Sequence, residues 1–200
     1  MSVLTISEKL DLLLQENKGV IRTSDAVAAG VSRVSFYEYV KERELEKVFQ
    51  GTFVSKDAWV DSMYLVSLRY SQAIFSHDTA LYLHNLTDRE PLQYSVTVKS
   101  GYNNTKLLEA NLKPYNIKKD LFELGKTTIL TPFGNVVAVY DRERTICDIL
   151  RSRNKIEVQT FQEAIKGYFQ SNDKNLRLLW KYAKIFKVEK LLSKYTEVLL

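Results

Sequence analysis

Cysteine is almost missing from this chain: Cys147 is the only one in 200 residues. A single thiol excludes an intrachain disulfide and gives no reason to expect an oxidising compartment. Proline and glycine are scarce too, at three and seven, which leaves little room for long flexible linkers. No apolar run approaches the roughly 20 residues needed to span a bilayer. The first residues, MSVLTISEKLDLLLQENKG, carry acidic groups and an amphipathic pattern. They have neither the basic start nor the cleavage site of a signal peptide. The cytoplasm is the expected compartment, with no membrane partner.

What is present is enough to build cores: 45% of residues are hydrophobic and 26% are charged. The net charge of +5 is unevenly spread. Residues 1–55 hold seven Lys and Arg against eight Asp and Glu, and residues 56–100 hold four against five. Residues 101–200 hold eighteen against eleven, a surplus of seven. Such an asymmetry favours an acidic partner such as nucleic acid.

Helical spacing of Leu10, Leu13 and Leu14 predicts a first helix from about Ile6 to Asn17, ended by Gly19. Thr23 or Ser24 is placed to cap a second helix, and Gly30 supplies a turn. Ser32 caps a third, with Val34, Phe36 and Val40 as candidate core positions. Short strands at Leu45–Phe49 and Thr52–Val54 flank Gln50-Gly51 as a small wing. This order is that of a winged helix-turn-helix, which lays its third helix in the DNA major groove.

Further on, SMYLVSLRY and SHDTALYLHNL read as helices, and LQYSVTVK as a strand. TTILTPFGNVVAVY reads as a hairpin turning at Pro132-Phe133-Gly134. Helices run from Asp141 to the end. The fold class is α+β: a winged helix-turn-helix over residues 1–55, then a mixed α/β domain over 56–200 ending in helices. No linker marks the boundary, which falls in the stretch 55–62.

On the third helix, Ser32, Arg33, Ser35 and Tyr37 are the positions expected to face base edges and phosphates, with Tyr39 contributing its hydroxyl. Arg22, Thr23 and Lys47 suit contacts to the DNA backbone. Glu38, Glu42, Glu44 and Glu46 oppose phosphate approach unless they face away, and they keep open a role in protein contacts alone.

Lys174, Arg177, Lys181 and Lys184 recur at steps of three, four and three, within roughly an 80° arc of one helix. Lys187, Lys190 and Lys194 continue the charge after a break near Phe186-Lys187-Val188. With Arg151, Arg153 and Lys155 they can form a patch for phosphates; solvated helix exterior is the plainer alternative. Asp141, Glu143 and Asp148 raise a metal-dependent nuclease as an alternative, since two-metal chemistry needs converging carboxylates. Arg142 and Arg144 between them suggest ion pairing at a helix start instead. His77 and His84, seven apart, are a weak metal pair. Cys147 reads as a small packed residue. No cofactor, metal or catalytic group is expected, and the chain is not expected to be an enzyme.

The order of segments resembles the AbiEi-type antitoxins of bacterial abortive-infection type IV toxin–antitoxin systems. The resemblance rests on the winged helix, SHDTALYLHNLTDREP, SVTVKSGY, VYDRERTICDILR and YAKIFKVEKLLSKYTEVLL, and it spans nearly the whole chain. It implies a repressor of its own operon that binds inverted repeats in double-stranded promoter DNA. It also implies an antitoxin that counteracts a nucleotidyltransferase-like toxin without a stable complex. A monomer in solution, or a dimer on the operator, fits the symmetry of an inverted repeat.

Overall fold

Thr5-Ile6-Ser7-Glu8 opens the first helix as a capping box. Thr5 Oγ1 accepts from the Glu8 amide at 3.2 Å, and the Thr5 amide donates to Glu8 Oε2 at 2.8 Å. The resulting helix α1 (Ile6–Glu16) buries Leu10 completely. A computed structural model describes residues 4–199 of the chain, and they divide into two units between Ser62 and Met63.

In the first unit, α1 leads to β1 (Val20–Arg22), α2 (Thr23–Ala28), α3 (Arg33–Glu42), β2 (Glu46–Phe49) and β3 (Thr52–Val54). The three strands form an antiparallel sheet in the order β1-β3-β2, so the wing is a three-stranded sheet and not an isolated hairpin. Strand β1 lies outside what the sequence led us to expect. It gives the hairpin the third strand that such a small sheet needs for stability. Ile21, Phe36 and Phe53 meet in the core, with less than a tenth of each exposed, and Phe36 and Phe53 touch edge to face at 5.7 Å.

The second unit contains α4 (Ser62–Arg69), β4 (Ile74–Phe75), α5 (His77–Leu83), β5 (Ser95–Lys99), α6 (Thr105–Glu109) and β6 (Lys113–Ile117). Next come β7 (Lys126–Leu130), β8 (Val136–Tyr140), α7 (Arg142–Arg151), α8 (Val158–Gln170), α9 (Leu176–Phe186) and α10 (Glu189–Leu199). The strands make one sheet in the order β6-β5-β4-β8-β7. Pairs β4–β8 and β5–β6 are parallel, and the others antiparallel.

Because successive side chains of a strand point to opposite faces, neighbours divide between two cores. Phe75, Val137 and Val139 join a cluster with Met63, Ala80 and Leu107. Ile74 and Tyr140 join a larger one built on α7, α8 and α9 through Ile146, Ile165 and Leu179. Cys147 lies inside the larger cluster, where burial pushes its thiol pKa up. The molecule is thus α+β, a winged helix-turn-helix followed by a mixed α/β unit that ends in helices. Among the described residues no helix is long and apolar enough to cross a membrane.

Candidate nucleic-acid interface

Helix α3 is presented by the turn before it. Gly30 takes a φ of +81° with open space where a Cβ would stand. Val31 then sends its amide back to the Ala26 carbonyl at 2.9 Å. Ser32 caps α3: its hydroxyl accepts from the Ser35 amide at 3.1 Å and lies 2.9 Å from the Ser35 hydroxyl. At about 100° per residue, Phe36 and Tyr39 fall on the face turned to α1, where both are buried. Ser32, Arg33 and Tyr37 are exposed, and Ser35 is half-buried. Arg33 has no ion pair among the described residues. Tyr37 leans its ring edge on Phe36 and Phe53 at 5.6 and 6.0 Å while staying half exposed.

Two expectations for this helix need correcting. Val34 is 69% exposed: it lies two positions from Phe36, about 160° around the helix, and so opposite the core. Tyr39 is not available to DNA. Its hydroxyl donates to Asp11 Oδ1 at 2.7 Å, and Arg43 reaches the other oxygen of Asp11 at 2.6 Å. Burial, followed by this bond to Asp11, pushes the phenol pKa up. Tyr39 fastens α3 to α1.

Arg22, the N-cap residue of α2, forks onto Asp25 through Nε and Nη2 at 2.8 and 2.7 Å. Thr23 is the first helical residue and not the cap. Its amide donates to the Gly51 carbonyl at 2.8 Å, which joins the start of α2 to the turn of the wing. Lys47 is exposed on β2, beside a bulge between Lys47 and Phe49. Glu38, Glu42, Glu44 and Glu46 are exposed as well, and Glu44 pairs with Lys56 at 2.6 Å.

In the second unit, α9 turns Leu179, Tyr182 and Phe186 inward and leaves Arg177, Lys181 and Lys184 exposed. Lys174 does not belong to this stripe. It precedes the Asn175 cap of α9, is half-buried, and donates to the Ser171 carbonyl at 3.0 Å. Lys187 closes α9 in a left-handed conformation at φ +59°, and exposed Lys190 lies on α10. Arg151 ends α7 and pairs with Asp148 at 3.1 Å. Arg153 and Lys155 are exposed in the 3-10 turn Arg153–Lys155 that follows.

The acidic trio serves the fold. Asp141 caps α7 by accepting from the Arg144 amide, and it also accepts from the Tyr182 hydroxyl. Glu143 accepts from the Tyr168 hydroxyl and the Asn175 amide. Asp148 pairs with Arg144 and Arg151. His77 and His84 are apart in their bonding too: His84 Nε2 donates to the Tyr140 carbonyl at 2.7 Å, while His77 meets Ser76 and Ser152. Among the described residues no group of three or more His, Cys, Asp or Glu is arranged to hold a metal ion.

One polar concavity was not legible in the sequence. His77, Tyr115, Arg144 and Ser152 meet there because β6 brings Tyr115 beside α5 and α7. The one local hint is the spacing of Arg144 and Asp148, four apart on a helix and therefore able to pair.

The family model described as "Transcriptional regulator, AbiEi antitoxin" matches residues 8–56, the segment that forms α1 through β3. No curated protein matches the chain. Among solved structures, the RV2827C protein from Mycobacterium tuberculosis is similar in fold, with a TM-score of 0.58 at 12% identity. The match covers 92% of this chain and 72% of that one.

Proposed function

We propose that this chain, whose residues 8–56 match the AbiEi antitoxin transcriptional regulator model, represses its own promoter and counteracts a nucleotidyltransferase-like toxin in the cytoplasm. It does so without catalysing a reaction and without a stable complex with the toxin. The observation that carries the reading is the division of α3. Phe36 and Tyr39 hold the helix to its core, while Ser32, Arg33 and Tyr37 stand exposed at its N-terminal end. That is the part of a reading helix that meets base edges in the major groove. Arg33 is the side chain suited to a guanine edge or a phosphate, and Lys47 on the wing is suited to the DNA backbone. Two copies on an inverted repeat would match the symmetry of the operator.

The exposed glutamates around α3 and the wing favour the second reading, a protein-interaction adaptor. A gel shift with the protein's own promoter, at stated salt, separates the two. Specific retardation is expected, and Arg33→Ala should abolish or relax the preference for operator over random DNA. Absence of any shift at low salt would support the adaptor. Antitoxicity is scored separately, as survival of cells that express the neighbouring toxin gene.

A further inference from the structure

The second unit carries an open polar cavity of about 340 Å³ between β5 and β6 on one side and α7 on the other. Its wall includes His77, Tyr115, Arg144, Asp148, Arg151 and Lys155. Arg144 is the unusual member. Its side chain is fully buried, with its guanidinium 4.2 Å from the rings of both Tyr140 and Phe186. Nε donates to Asp148 at 2.9 Å, and Nη1 donates to the carbonyls of Leu121 and Leu124 at 3.0 and 2.7 Å. Nη2 is buried and has no partner among the described residues. A buried charged donor left unsatisfied is costly. Arg144 is also among the residues that line the cavity, and its unmet donor points to a missing acceptor.

The charge balance gives the sign of that acceptor. Arg144, Arg151 and Lys155 bring three positive charges, and Asp148 returns one negative charge to the first two. His77 adds none: it is buried, and burial together with the surrounding cations holds its pKa well below the usual range. Its ring lies flat on Tyr115 at 3.4 Å, its two nitrogens face the Ser76 and Ser152 hydroxyls, and its backbone is left-handed at φ +48°. Such strain persists only where the surroundings enforce it, and it gathers at ligand sites. The cavity lies in the range that small ligands occupy.

We infer that this cavity binds a phosphate group, either as the free anion or as the monoester of a small molecule, between Arg144, Arg151 and Lys155. A phosphate dianion answers the surplus of two positive charges, and its oxygens accept from guanidinium and ammonium donors with the shortest, strongest hydrogen bonds. The site is separate from α3, and nothing in the DNA-reading proposal depends on it.

The test is calorimetric titration of the full chain with inorganic phosphate and, separately, with a nucleoside monophosphate. Ionic strength is held constant with sodium chloride. Saturable one-to-one binding of either probe is expected, and the stronger of the two identifies the source of the group. Arg151→Gln and Lys155→Gln change side chains that reach solvent, so both variants should fold, as checked by thermal melting. Each should weaken binding by at least about tenfold. No saturation by either probe up to about 10 mM, a concentration weaker than any affinity of use to a folded site, overturns the inference. So does binding that both variants leave within twofold of the parent, because the anion would then sit elsewhere.

Discussion

Few side chains in this molecule are as constrained as His77, held between Tyr115 and two serine hydroxyls on a left-handed backbone. Its lowered pKa has a consequence for stability. Below the ordinary value of 6.5, and down to the folded pKa, the unfolded chain binds a proton that the folded chain refuses. The unfolding free energy therefore falls as pH drops through that window. His84, lowered mainly by burial, acts in the same direction. Each imidazole contributes a slope of up to about 1.4 kcal/mol per pH unit. Urea unfolding at pH 7.5 and pH 5.5 should show this loss. Asn tolerates left-handed backbone and does not titrate, so His77→Asn should flatten the slope. An unchanged slope would mean that other groups cause the acid sensitivity. None of this was legible locally, because Tyr115 and Ser152 reach His77 from 38 and 75 positions away along the chain.

At the scale of elements, the sequence was informative where a period had room to repeat. Helices α1, α3, α4, α5 and those after Asp141 follow from apolar spacing, and α3 also from its cap at Ser32; the caps at Thr5 and Asp141 are seen only in the structure. The wing and the β7–β8 hairpin follow from their Gly turns. The misses have physical reasons. Strand β1 has three residues and β4 two, too few for an alternation to show. Strand β6 contains Pro114, which argues against a strand but is tolerated at the sheet edge, and β6 is the edge. The exposed face of α3 was legible except at Tyr39 and Val34, where a step of one residue, about 100°, decides between core and solvent. The cap of α3 offers a direct check. Ser32→Ala removes the acceptor for the Ser35 amide and should cost about 1 kcal/mol of stability. It should show as a lower urea midpoint with unchanged m-value. A shift in m would mean that the first unit had changed its compactness instead.

Over the whole molecule, charge is shared unequally along the chain. Residues 1–55 carry a net of −1 and residues 101–200 a net of +7, so if α3 reads DNA as proposed, the long-range attraction has to come from beyond the first unit. Exposed Arg177, Lys181 and Lys184 on α9 are suited to that part. Replacing Lys181 and Lys184 together with Gln should weaken binding to operator and random DNA alike. It should also flatten the dependence of log affinity on log salt by up to about 1.8. If affinity and slope both stay put, α9 lies off the DNA.

Strand β4 sets the timing of the second unit. It is the middle strand of five and only two residues long, and its partners Val96 and Val139 follow Phe75 by 21 and 64 residues. Contacts that span such lengths slow folding. At synthesis rates of roughly 5–20 residues per second, about 3–13 s pass between the making of Phe75 and that of Val139. Only in the last part of that interval, once Ile117 has been made and Val139 has not, does a half-sheet of β4, β5 and β6 stand with an unfilled edge of the kind that recruits foreign strands. By then the residues of the first unit have all been made, so synthesis that stops in this stretch leaves a chain with every residue of α1 through β3 and an unfinished sheet after them.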